Sequence, residues 1–94
     1  MSKEFEWDNN KARTNLLKHK ISFKEGATIF NDWFVATMFD PDHSIIELRK
    51  ISIGFSDKNR ILVVTYTERG ERKRIICFRK ATPTDRIIYE KGDY

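Results

Sequence analysis

Apolar positions fall into two regimes along the chain, helical in the first third and strand-like after it. Phe5-Glu6-Trp7 reads as a short extended piece, an edge strand, and Asp8 follows as an N-cap for a helix over residues 9–19. That helix is short and charged, with Ala12, Leu16 and His19 expected along its inner side. Ser22-Phe23-Lys24-Glu25 matches a capping box, in which the serine hydroxyl takes the glutamate amide. A second helix is therefore expected over residues 23–30, with Phe23, Ala27 and Phe30 spaced for one face. From Trp33 onward β-rich runs replace the helical spacing, over residues 34–39, 45–55, 61–67 and 74–79. Turn residues bound them at Asp40-Pro41-Asp42, Ser56-Asp57-Lys58-Asn59 and Arg69-Gly70-Glu71. Thr82-Pro83-Thr84-Asp85 then opens a last helix that runs to about residue 91.

This order predicts an α+β fold. An antiparallel sheet of about four strands, plus the short N-terminal strand, carries two N-terminal helices and one C-terminal helix. The helices are expected on one face, leaving the other for a ligand or a second copy. At 94 residues the chain has room for a single domain over 1–94.

Charge changes the picture. Residues 1–47 carry six Lys/Arg against eight Asp/Glu, and residues 48–94 carry twelve against six. A basic half in a chain of net charge +4 points to an anionic partner, nucleic acid first. No apolar run is long enough to span a bilayer, and no signal peptide follows Met1. The single cysteine, Cys77, forms no internal disulfide and with two histidines builds no structural zinc site, which suits a reducing, cytoplasmic setting without metal or cofactor. Cys77 is expected to be a buried strand residue, and Trp7, Phe23 and Phe30 core aromatics.

The candidate chemistry lies in Arg69, Arg72, Lys73, Arg74, Arg79 and Lys80. Guanidinium groups bind phosphate oxygens bidentately and stay charged at every working pH. At Arg69, Arg72 and Lys73 the competing explanation is a solvated hairpin tip. Arg79 ends an apolar strand and needs a partner; a strict two-residue alternation puts it on the side of Ile75 and Cys77. Glu47 and Arg49, two apart, are either a structural ion pair or the acid/base and phosphate-binding members of a site. His43, after a turn, is either ordinary surface or a general acid or base.

Phe5-x-Trp7-Asp8-x-x-Lys11-Ala12-x-x-Asn15-x-x-Lys18-His19, Phe23, Asp42-His43, Glu47-x-Arg49, Gly54, Arg74-Ile75-Ile76-x-x-Arg79-Lys80-Ala81-Thr82 and Tyr89-Glu90 together resemble the BrnT family of bacterial toxins. The resemblance implies a RelE-like fold and a ribonuclease toxin of a type II toxin–antitoxin pair. It implies a BrnA-like antitoxin as partner and operator DNA reached through that antitoxin. Lys20 stands where the family usually has a helix-ending glycine, and Phe78 where a small residue is usual. The first helix is therefore expected to end with strain or a different cap, and the bulkier Phe78 to alter the shape of the RNA groove beside Arg79, narrowing the substrate or weakening activity.

Within that resemblance a metal-independent route is expected, in which an RNA 2′-hydroxyl attacks the adjacent phosphate. Arg79 and Arg74 would hold the phosphate, Glu47 or His43 would transfer protons, and Arg49 would orient the carboxylate or bind the scissile group. Arg69, Arg72, Lys73 and Lys80 would bind flanking RNA. Arg74 and Arg79 are five apart and share a face only if a bulge lies between them. The alternative is a non-catalytic co-repressor that binds antitoxin or nucleic acid. An exposed sheet face also makes a homodimer conceivable.

Overall fold

The computed structural model describes residues 4–40 and 47–92. A five-stranded sheet runs in the order β1-β5-β4-β3-β2, with β1 Phe5–Glu6, β2 Ala36–Phe39, β3 Arg49–Phe55, β4 Ile61–Arg69 and β5 Arg72–Lys80. The last four strands pair antiparallel in sequence order, as expected from their short connections, and β1 joins β5 in parallel. Helices α1 Asn9–His19, α2 Phe23–Ala27 and α3 Pro83–Lys91 complete the α+β architecture.

Both N-terminal caps form where the sequence places them. Asp8 accepts from the amides of Asn10 and Lys11, and Ser22 from that of Glu25. Helix α1 ends at Lys20, which adopts φ 60° and ψ 32°. This is the left-handed cap that a glycine would take without steric cost. The second helix is shorter than its spacing suggests, since after Ala27 the chain tightens into a 3-10 turn over Thr28–Asn31.

On one face of the sheet α1, α2 and the 3-10 turn cover Leu62, Val64, Tyr66, Ile75 and Phe78, joined by Ile21, Phe23 and Ile29. Trp7 meets Phe23 edge-on and Phe30 meets Tyr66 edge-on, so the expected aromatics do join this core. The inner side of α1 differs from expectation. Leu16 is 48% exposed, and the buried residue of the helix is Asn15. Its side chain donates to the Ile21 carbonyl at 3.1 Å and accepts the Phe78 amide at 3.0 Å, so one amide group bridges helix, loop and sheet. Within the same core Ser52 hydrogen-bonds both Thr37 and Tyr66, leaving that buried hydroxyl satisfied.

The helices do not all lie on one face. Helix α3 crosses to the opposite side, where Ile88, Tyr89 and Ala81 pack on Ala36, Ile53, Ile61 and Val63. Tyr89 donates to Asp32 at 2.6 Å, and the same carboxylate takes the Phe55 and Phe34 amides. Burial opposes ionisation of Asp32, but these three donors outweigh it and hold its carboxyl below the ordinary value. Among the described residues helix α3 covers only part of this second face, on which Cys77 and Arg79 are exposed, Arg74 and Thr65 half-buried and Thr67 buried.

Candidate nucleic-acid site

The open face takes its character from an irregularity in β5. Thr65 pairs with Cys77 and Tyr66 with Ile75, so Ile76 is an extra residue and the register shifts there. A bulge of this kind reverses the alternation on one side of itself. Ile75 and Phe78 therefore share the helix-covered core, while Arg74, Cys77 and Arg79 face the other way with Thr67, Thr65 and Val63. The condition for uniting Arg74 and Arg79 is met. The strict alternation that grouped Arg79 with Ile75 is overturned by the same residue. Cys77, expected to be buried, is exposed on this face.

Three adjacent strands contribute one row across the site. Arg49 of β3 lies opposite Thr67 of β4, which lies opposite Arg74 of β5. Next in the row is Glu6 of β1, whose carboxylate accepts from Arg74 at 3.2 Å. Thr67 is 1% exposed, and its hydroxyl has no hydrogen-bond partner among the described residues. Arg79 lies two rows away, about 13 Å along the strands, at the edge of α3. There its Nη1 donates to Asp85 at 2.6 Å.

The remaining expected site residues divide. Glu47 precedes β3 instead of lying within it, and its carboxylate pairs with Arg69, at 3.2 Å to Nε and 3.4 Å to Nη2. Arg69 and Arg72 form the last pair of the β4–β5 hairpin, next to a two-residue turn in which Gly70 takes φ 61°. They belong by register to the arginine face. Lys73 and Lys80 do not. Lys73 pairs with Glu68 and sets its ammonium 5.3 Å from the Phe30 ring, and Lys80 pairs with Leu62, so both point to the helix side. His43 lies outside the described residues.

Phe78 lies on the face opposite Arg79. It is fully buried on the helix side, where Gly26 gives it room, because a Cβ at position 26 would run into its ring. The bulky ring thus faces away from Arg79.

Two partners were not legible beforehand. Glu6 meets Arg74 only through the parallel β1–β5 pairing, a contact across 68 positions of sequence. Asp85 was visible as a capping acid, but not as the residue that holds Arg79.

An α+β protein with an open, arginine-lined sheet face is suited to gripping a phosphodiester chain. The sequence profile of the "Ribonuclease toxin, BrnT, of type II toxin-antitoxin system" family matches residues 7–85, and the chain belongs to that family. It is thus a ribonuclease toxin of a type II toxin–antitoxin system. The fold is similar to that in the 1.1 Å crystal structure of the Brucella abortus ribonuclease toxin BrnT. The TM-score is 0.63 and the identity 23%, over 86% of this chain and 99% of that one. No curated protein matches the sequence.

Proposed function

We propose that this chain cleaves RNA on the arginine face by a metal-independent phosphoryl transfer. The supporting observation is the Ile76 bulge, which brings Arg74 and Arg79 to one open face with Arg49. In this reading a base removes the proton of an RNA 2′-hydroxyl, whose oxygen attacks the adjacent phosphorus. The 5′-oxygen then leaves with a proton from an acid, giving a cyclic phosphate and a 5′-hydroxyl end. Arg79 and Arg74 stabilise the charge that builds on the phosphorane oxygens, and Arg49 binds the scissile group or orients the carboxylate. Glu47 or His43 transfers the protons. Arg69 and Arg72 extend the cationic track along the same face.

The antitoxin in this reading is BrnA-like, reaches operator DNA through its own DNA-binding part, and works with the toxin in the cytoplasm. Pairing of two toxin chains belongs to the same proposal. Among the described residues no helix is long and apolar enough to cross a membrane.

The test is cleavage of a short RNA by the purified chain in excess EDTA. Cleavage that persists, with a cyclic phosphate end, is the expected outcome. Complete loss that added metal reverses would overturn the route. Alanine variants of Glu47 and His43 then show which one carries the proton.

A further inference from the structure

The capping acid of α3 does more than a cap requires. Asp85 Oδ2 accepts from the Thr82 amide at 2.8 Å and the Thr82 hydroxyl at 2.9 Å, while the Asp85 amide donates to that hydroxyl at 3.2 Å. These bonds fix the carboxylate at the first turn. The same oxygen then receives Arg79 Nη1 at 2.6 Å, and the Asp85 side chain is only 13% exposed.

We infer that Asp85 is a positioning residue for Arg79, holding its guanidinium over the open face so that the unused edge meets the phosphate. The inference rests on the reading of Arg79 as a phosphate donor. All hydrogen bonds of the Arg79 side chain within the described residues leave from Nη1, to Asp85 and, at 3.4 Å, to the Lys80 carbonyl. Nε and Nη2 remain as a planar two-donor fork, the geometry that fits two phosphate oxygens. Arg79 is 44% exposed at the side chain, and a long side chain so placed samples many rotamers unless it is tethered.

The tether is itself anchored. Helix α3 is tied at Tyr89 to Asp32, which also takes the Phe55 amide of β3, so the helix carrying Asp85 is fixed to the sheet. Burial opposes ionisation of Asp85, yet Arg79 and Thr82 together keep its carboxyl below the ordinary value, so the tether is charged at neutral pH.

The experiment compares Asp85→Asn, Thr82→Val, Arg79→Ala and the Arg79→Ala/Asp85→Asn double variant for RNA cleavage, with kcat and KM separated, and for thermal melting. Asp85→Asn should lower kcat about tenfold to a hundredfold with KM changed by less than about threefold, because charge is kept near the site and alignment is lost. The double variant should fall no further than Arg79→Ala. Thr82→Val, which removes the hydroxyl bonds to Asp85 but leaves its backbone amide bond and the Arg79 tether, should lower kcat clearly less than Asp85→Asn even where its melting temperature falls as far. The inference is overturned if Asp85→Asn cleaves at or above the wild-type rate, if it costs the same factor in the Arg79→Ala background, or if Thr82→Val loses kcat equally. Wild-type cleavage by Arg79→Ala would instead sink the phosphate-donor reading itself, and this inference with it.

Discussion

Arg74 and Arg79 stand five residues apart in one strand and yet face the same side of the sheet, because Ile76 between them has no opposite partner. Without that extra residue Arg74 would point into the helix-covered core and Ile75 into solvent. The bulge thus satisfies two demands of one segment. It buries Ile75 and Phe78 and turns both arginines to the opposite face, Arg79 exposed and Arg74 half-buried.

At these arginines, Arg79→Ala should lower RNA cleavage about a hundredfold or more, the loss typical of a charge-stabilising donor worth about 2.7–4 kcal/mol. Arg79→Lys should recover little of it, because lysine keeps charge but has no planar fork. Cleavage rates measured beside melting curves check this. Strong destabilisation by Arg79→Ala, or full recovery by lysine, would contradict a bidentate role.

Binding to single-stranded RNA should weaken steeply with salt. Each phosphate neutralised releases condensed counterion and adds about −0.7 to the slope of log K against log salt. Titrating an inactive variant with a short RNA at several salt concentrations gives that slope. Arg72→Ala should make it shallower by about one phosphate's worth, whereas a flat response in the parent would remove the arginine face from the interface.

Glu25 should contribute to the loss of stability in acid, alongside Asp32, Glu68 and Asp85, whose carboxyls are also held below their ordinary values. Its side chain is 3% exposed and is gripped by the Arg60 guanidinium and the Ser56 hydroxyl, with Arg60 also donating to the Lys20 carbonyl. The Arg60 hydrogen bond, against the effect of burial and with help from Ser56, holds the carboxyl below its ordinary 4.5. A lowered folded-state value means the contribution is complete above about pH 4.5 and fades as pH falls through the folded value. Glu25→Ala should cost about 3 kcal/mol by leaving Arg60 without its partner, and should flatten the pH dependence of melting in acid. Unchanged acid melting would show that Glu25 is not one of the groups responsible.

Gly26→Ala should destabilise the fold by at least about 1–3 kcal/mol, because the new methyl is driven into the Phe78 ring. Phe78→Ala alone should also destabilise, by about 3–5 kcal/mol for a fully buried ring. Combined, the two should cost less than their sum, since each relieves the clash or void of the other. Additive losses in denaturant titrations would mean that the glycine and the ring are not a matched pair.

Much of the fold was legible because it rests on local chemistry. Asp8, Ser22 and the Thr82–Asp85 pair announce helix starts through bonds spanning two or three residues, and the apolar runs of β3, β4 and β5 announce strands through side-chain spacing. The cationic character of the later half followed from counting charge, and the motif from Trp7 to Asn15 now has a structural reason. Asn15 bridges Ile21 and Phe78, and Trp7 packs edge-on against Phe23.

Tertiary structure alone decided which arginines share a face of the sheet. Strand alternation is a local rule, and one inserted residue reverses it, so the face of Arg74 depends on how β5 pairs with β4. Lys73 was lost to the helix side for the same reason, whereas Lys80 lies opposite its neighbour Arg79 by plain alternation. Glu6 and Asp85 meet Arg74 and Arg79 only when β1 adds in parallel to β5 and α3 crosses to the second face. The sequence by itself determined the elements, their caps and the sign of the charge, all set within a few residues. The pairing register, a property of two strands at once, determined where that charge is presented.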